Sequence, residues 1–176
     1  LEAALLADGV AADALYPLDL DRAFAKLDTI KSDIIWWGGG AESQQLLASG
    51  EAPIGSFWNG RIFAIQQEGG NVGVSWNQNL TAADVLVVPK GAKNKDAAMK
   101  FLAEISKPAY QAEFTRYITY GPTNKKAYDL GTIDAAYAKR LPSHPDNTAK
   151  QLPINLDWYI KHEADASAKY QNMLTE

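Results

Sequence analysis

The chain has 176 residues, of which 47% are hydrophobic and 22% charged. This balance suits a folded globular chain and excludes disordered, collagen-like and coiled-coil compositions. With 17 Lys and Arg against 21 Asp and Glu, the net charge is −4, which leaves no basic footprint for nucleic acid.

The sequence has no cysteine, which removes disulfides, thiol nucleophiles and thiolate metal sites. No apolar run reaches the ~20 residues of a membrane-spanning helix. The first residues, Leu1 to Ala7, read as a helix already under way with no cap before it. The sequence is therefore expected to be a fragment, with any targeting segment in the part that precedes it. Asp8-Gly9 reads as a helix stop, and Asp19-Leu20-Asp21 as a start with acids in the first turn. Leu20, Phe24, Leu27 and Ile30 then follow helical spacing. Ile34 to Trp37 is a short β-prone run ended by Gly38-Gly39-Gly40. Glu42 to Ser49 reads as a helix with Gly50 as its stop.

Ala52 to Trp58 is expected to be the next strand, turned by Asn59-Gly60 into a short helix over Arg61 to Glu68. Val72 to Trp76 and Asp84 to Pro89 are expected to be further strands. Lys95 to Ser106 is a helix with Ala97, Ala98, Phe101, Leu102 and Ile105 on one side. Pro108 stands at the permitted first position of another. A long helix is expected from about Asn155 to Leu174. Strands alternating with helices argue an α/β chain with crossover connections.

Enzyme signatures are missing: there is no G-x-S-x-G elbow, phosphate loop or G-x-G-x-x-G. The glycines at 38–40 are followed by no lysine at phosphate-loop spacing, so a plain strand-to-helix turn explains them. Asp19 and Asp21 suit helix capping better than metal ligation. The histidines, His144 and His162, lie too far apart for a helical metal pair. No cofactor or metal is implied.

The tryptophans stand beside breakpoints. Trp36 and Trp37 precede three glycines, and Trp58 precedes Asn59-Gly60-Arg61. In open α/β sheets ligands bind outside the carboxyl ends of strands, so an indole there is either a cleft wall or a cap on the core. In a regular strand Trp36 and Trp37 face opposite ways, which leaves Trp37 as the ligand candidate. Asp84 precedes the apolar run Val85-Leu86-Val87-Val88-Pro89 and reads either as an ammonium acceptor or as a strand-end acid. Arg61 suits either a ligand carboxylate or a structural ion pair.

An ordered series of segments carries a family resemblance. They are Leu5-Leu6-Ala7-Asp8-Gly9-Val10, Tyr16-Pro17-Leu18-Asp19-Leu20-Asp21-Arg22-Ala23, Gly50-Glu51-Ala52 and Trp58-Asn59-Gly60-Arg61. Val88-Pro89-Lys90-Gly91-Ala92-Lys93-Asn94, the helix with Ala97-Ala98, and Tyr120-Gly121-Pro122-Thr123-Asn124 complete it. The chain resembles the C-terminal half to two-thirds of bacterial extracellular solute-binding proteins of the spermidine/putrescine-binding type, which serve ABC importers.

The resemblance implies an α/β fold of the type II periplasmic-binding-protein kind, here an incomplete lobe with most of the first lobe missing. It assigns residues 1–83 to the second lobe, 84–124 to a return segment of the first, and 125–176 to helices closing back on the second. It implies that Trp58, with Asn59 beside it, stacks on the ligand and that Asp84 receives an ammonium. Tyr120 and Trp158 are implied as further contacts. Polyamine binders of this type carry an aromatic residue two positions before the aspartate, where this chain has Ala82. With Arg61 nearby, that departure favours a zwitterion such as 4-aminobutyrate over a polyamine. The implied function is non-catalytic: capture of a small amine-containing solute in the periplasm by closure of two lobes, then delivery to an inner-membrane ABC permease. An α/β hydrolase- or transferase-like domain is the alternative. Ligand binding by this chain alone is expected to be weak, and the exposed apolar surface of a fragment favours dimerisation.

Overall fold

In the computed structural model, which describes residues 1–175, helices start and stop where capping chemistry places them. Helix α1 spans Glu2–Ala7. Helix α2 spans Leu20–Asp28 and is capped by Asp19, whose carboxylate accepts the Arg22 amide at 3.0 Å. Helix α3 spans Gly40–Ser49 and ends on Gly50 at φ 76°, a left-handed stop that glycine adopts without penalty. Helix α4 spans Asn59–Gln67. Its start lies two residues before the expected one, because Trp58 rather than Gly60 takes the extended cap conformation. After strand β1, Leu80–Thr81, come α5, Lys95–Ile105, and α6, Pro108–Phe114, with Pro108 at its first position. Then follow α7, Ala135–Ala138, α8, Pro145–Thr148, strand β2, Leu152–Pro153, and α9, Leu156–Thr175.

The expected strands differ. Among the described residues, 34–37, 52–58, 72–76 and 84–89 form no ladder. The pairing present is β1 with β2, parallel, with Leu80 opposite Leu152 and Thr81 opposite Pro153. Local β-propensity does not supply a neighbour, and a strand exists only when its backbone groups find one. Val85, Leu86 and Val87, expected in a buried strand, are 75%, 68% and 75% exposed.

The chain divides into two compact units. The first comprises residues 1–36, 80–82 and 152–176, and the second 37–79 and 83–151. In the first unit, Ala4, Leu5, Leu15, Leu18, Ala23 and Trp158 form the core. An Arg22–Asp8 ion pair at 2.6 Å ties α2 to the end of α1, and Lys169 pairs with Asp21. In the second unit, Ala112, Ala127, Ile133, Ala138 and Leu141 form a separate core. Asn147, buried beside it, donates to the carbonyls of Lys139 and Leu141 at 2.8 and 2.9 Å, so its burial leaves no donor unpaired. Among the described residues no helix is long and apolar enough to cross a membrane.

Candidate functional site

Within the second unit the packing of α3 against α4 gathers most of the residues singled out in the sequence. Trp58 immediately precedes α4, and Arg61 lies in its first turn. The Trp58 ring meets Trp37 edge to face, with centroids 5.5 Å apart and planes at 88°. Trp37 in turn stacks on Phe57 at 6.4 Å and 13°. Edge-to-face geometry suits the ring quadrupoles and fixes Trp58 from one side. Its other surface stays open, for Trp58 is 52% exposed.

Gly40, the first residue of α3, makes this approach possible. A Cβ there would fall 2.8 Å from Arg61 Nε and 2.8 Å from Trp58 Cζ3. Only a residue without a side chain lets the indole and the guanidinium lie this close to the α3 backbone. One turn later on the same face of α3, the Gln44 side-chain oxygen accepts a hydrogen bond from Arg61 Nη1 at 3.3 Å. Glu42, the nearby acid, is turned to the loop: its carboxylate accepts the Gly38 amide at 2.8 Å. Among the described residues no carboxylate lies within ion-pair distance of Arg61. Arg61 therefore presents an exposed, uncompensated cation beside an open indole, and the positive end of the α4 dipole reinforces its field.

Asn59 and Tyr120 brace the other side. The Asn59 amide nitrogen donates to the Thr119 carbonyl, which locks the start of α4 to the segment before Tyr120. The Tyr120 ring packs on Gly60, where a Cβ would lie 3.0 Å from its Cε1. Thr119 is itself held through a 3.2 Å contact with the Tyr137 hydroxyl, which donates to the Thr115 carbonyl at 2.6 Å. The Tyr120 backbone continues into Gly121, where any side chain would strike Ser143, its amide nitrogen 2.6 Å away.

The structure thus brings together Trp37, Trp58, Asn59, Arg61 and Tyr120. Asp84 lies in the same unit, on an exposed segment without strand pairing rather than at the mouth of a buried strand. Trp158 belongs to the first unit. It is 8% exposed and packs against Tyr16, Tyr159 and His162, so it has a core position in that unit. The physical reason is its place on the buried side of α9, which it shares with Ala166 and Met173. Trp36 also pairs in the first unit, edge to face with Tyr170 at 5.6 Å, so the adjacent indoles of Trp36 and Trp37 take different neighbours. Sequence reasoning singled out the glycines at 38–40 but missed Gln44 and Phe57. Gln44 carries a usable signal, an amide four residues after Gly40 and so on the same face of α3. Among the described residues no cluster of acids and histidines could hold a metal ion.

Comparisons with known proteins bear on what such a site is for. The family model for bacterial extracellular solute-binding proteins matches residues 1–142. The gamma-aminobutyric acid-binding protein of Pseudomonas aeruginosa is 37% identical over 175 residues, covering 97% of this chain and 49% of that protein. The spermidine/putrescine-binding periplasmic protein of Salmonella typhimurium is 26% identical over 165 residues, covering 93% and 45%. Among solved structures, a GABA receptor is 53% identical with TM-score 0.86, covering 98% of this chain and 52% of its own. An ABC transporter substrate-binding protein from Bradyrhizobium japonicum is 44% identical with TM-score 0.92, covering 98% and 54%. The chain spans about half the length of the relatives it matches. The expected fold class, a partial α/β lobe of the periplasmic-binding-protein kind, agrees with these matches despite the unpaired strands. The family and these relatives are described as binding proteins or receptors, which agrees with the non-catalytic expectation.

Proposed function

The chain belongs to the bacterial extracellular solute-binding proteins, and on that premise we propose that it is part of the periplasmic substrate-binding component of an ABC importer for a small zwitterionic amine of the 4-aminobutyrate class. The observation that carries the ligand class is Arg61. Its guanidinium stands beside the half-open Trp58 indole with a neutral amide as its hydrogen-bond partner. A cation held this way attracts a carboxylate and repels a diamine. Trp58 packs along the ligand's methylenes and, with Trp37 behind it, faces the ammonium end through its π-system. Asp84 receives the ammonium, while Asn59 and Tyr120 hold the frame. The relatives named for gamma-aminobutyric acid support the zwitterion, and Ala82, in place of an aromatic residue, supports it against a polyamine.

In this reading residues 1–83 and 125–176 serve one lobe of the whole protein and 84–124 the other. Closure of the lobes excludes water and strengthens the polar contacts, and the closed form delivers its solute to an inner-membrane permease. Calorimetric titration of the full-length protein with 4-aminobutyrate and putrescine tests the proposal. 4-Aminobutyrate is expected to bind more tightly. Arg61→Gln and Asp84→Ala should each weaken it by about tenfold or more, as loss of a charged hydrogen bond does. A preference for putrescine, or no binding of either, would overturn the ligand class.

Self-association of the isolated 176-residue chain is also expected, because Ile54, Val85, Leu86 and Val87 are 89%, 75%, 68% and 75% exposed. Light scattering that reports a monomer at high concentration would contradict it.

A further inference from the structure

We infer that Gln44 is a specificity-determining residue of this site: by remaining a neutral acceptor, it positions the Arg61 guanidinium without neutralising it, and so selects ligands that carry a carboxylate. The inference rests on the reading of Arg61 as the carboxylate receptor. It adds a residue that does not touch the ligand and acts through Arg61.

The geometry assigns this role to the α3 face rather than to Arg61 alone. An arginine side chain is long and loses much rotamer freedom when fixed. Here it is confined at two points. Gly40 lets Nε lie against the α3 backbone, since a Cβ would sit 2.8 Å from it, and Gln44 engages Nη1 at 3.3 Å. Gly40 and Gln44 are four residues apart on α3, hence on one face and one turn apart. The remaining guanidinium donors stay free for a planar, two-pronged acceptor.

The chemistry of the residue at 44 then decides what Arg61 can do. A glutamate there would be nearly the same size, would sit at the same distance and would form an ion pair with the guanidinium. The positive charge beside Trp58 would be cancelled, a ligand carboxylate would meet an extra negative charge one side chain away, and the repulsion of a second ammonium would disappear. Glu42 shows that an acid on α3 is tolerated, but its carboxylate is held by the Gly38 amide and leaves Arg61 alone. One amide-to-acid change at 44 should thus move the site from a zwitterion preference toward a diamine preference.

The test uses the full-length protein and the ratio of affinities for 4-aminobutyrate and putrescine, measured by calorimetry in the wild type, in Gln44→Glu and in Arg61→Gln. A residue with a merely structural role would weaken both ligands together and leave the ratio unmoved. Gln44→Glu is expected to shift the ratio toward putrescine by about tenfold or more, the scale on which an attractive charge pair is exchanged for a repulsive one. Gln44→Lys, which adds a positive charge instead, should not shift it in that direction, and melting temperatures identify any variant that has lost its fold. If Arg61→Gln moves the ratio and Gln44→Glu does not, or if Gln44→Lys mimics Gln44→Glu, the role of Gln44 is overturned and the reading of Arg61 stands. If Arg61→Gln leaves the ratio unmoved, the reading of Arg61 falls and the role of Gln44 falls with it.

Discussion

Trp158→Ala is expected to destabilise the protein by about 3–5 kcal/mol, the cost of truncating a buried large aromatic side chain. Trp158 is 8% exposed in a core with Leu5, Leu15 and Leu18. Its ring meets Tyr16 at 6.1 Å and Tyr159 at 5.0 Å, and it stacks on His162 at 4.7 Å. Its backbone amide is tied to the Asn155 side chain at 3.0 Å, which sets the start of α9. Removing the indole therefore opens a cavity under α9 and leaves Tyr16, Tyr159 and His162 without the ring they pack on. Guanidinium unfolding measures the loss. Trp58→Ala is the comparison: at 52% exposure its loss should be clearly smaller, and its main effect should be on ligand affinity. Equal destabilisation by the two substitutions would contradict the division between a core tryptophan and a half-exposed one.

The same contrast shows which parts of the molecule were legible in the sequence. Helix ends were, because caps are local chemistry. Asp19 stands before α2, Gly50 after α3 and Pro108 at the start of α6, each where its backbone preference requires. Strands were not, because a run such as Val85 to Val88 records a propensity and carries no record of its partner. The candidate site was legible where aromatic and charged residues crowd a breakpoint, as in Trp58-Asn59-Gly60-Arg61. It was not legible where a residue matters only through packing. Gln44 is an unremarked polar position on α3 until α3 and α4 meet and Arg61 reaches it. Trp158 was legible as a tryptophan, but its packing partners Tyr16, Tyr159 and His162 were not, because they depend on the elements that α9 covers.

Replacing Glu2 is expected to remove a pH-sensitive stabilising joint in the first unit. Glu2 is 3% exposed, a rare place for a carboxylate unless its oxygens are paired. They are paired: Tyr16 donates to it at 2.6 Å, and Tyr159 donates to its two oxygens at 3.0 and 3.1 Å. The Tyr16 hydroxyl also accepts the Asn155 amide at 3.0 Å, so one carboxylate joins α1, the segment before α2 and both sides of the α9 start. Burial pushes the carboxyl up, but the hydrogen bonds it accepts outweigh that and hold it below its ordinary value of 4.5. Burial, then the bond to Glu2, raises the Tyr16 hydroxyl from 10.0 to about 12, and burial with the Glu2 charge raises Tyr159 further.

The signs follow from which state binds the proton more tightly. The unfolded chain protonates Glu2 more readily than the folded one, so its contribution is complete above the ordinary carboxyl range. That contribution is lost as pH falls through the depressed folded value. The tyrosines act at the other end. The folded state keeps them neutral, so their contribution is complete below pH 10 and lost as pH rises through about 12 for Tyr16. Glu2→Ala should cost about 3 kcal/mol at neutral pH, because two part-buried hydroxyls lose a charged acceptor. Glu2→Gln should cost less, since one acceptor oxygen remains, yet it should flatten the acid limb as fully as Glu2→Ala, because that limb depends on the charge. Unfolding midpoints from pH 3 to 8, as wild-type-minus-variant differences, separate Glu2 from other depressed carboxylates such as Asp8, which its bond to Arg22 holds low. A difference that does not change across that range would show that Glu2 acts by packing alone.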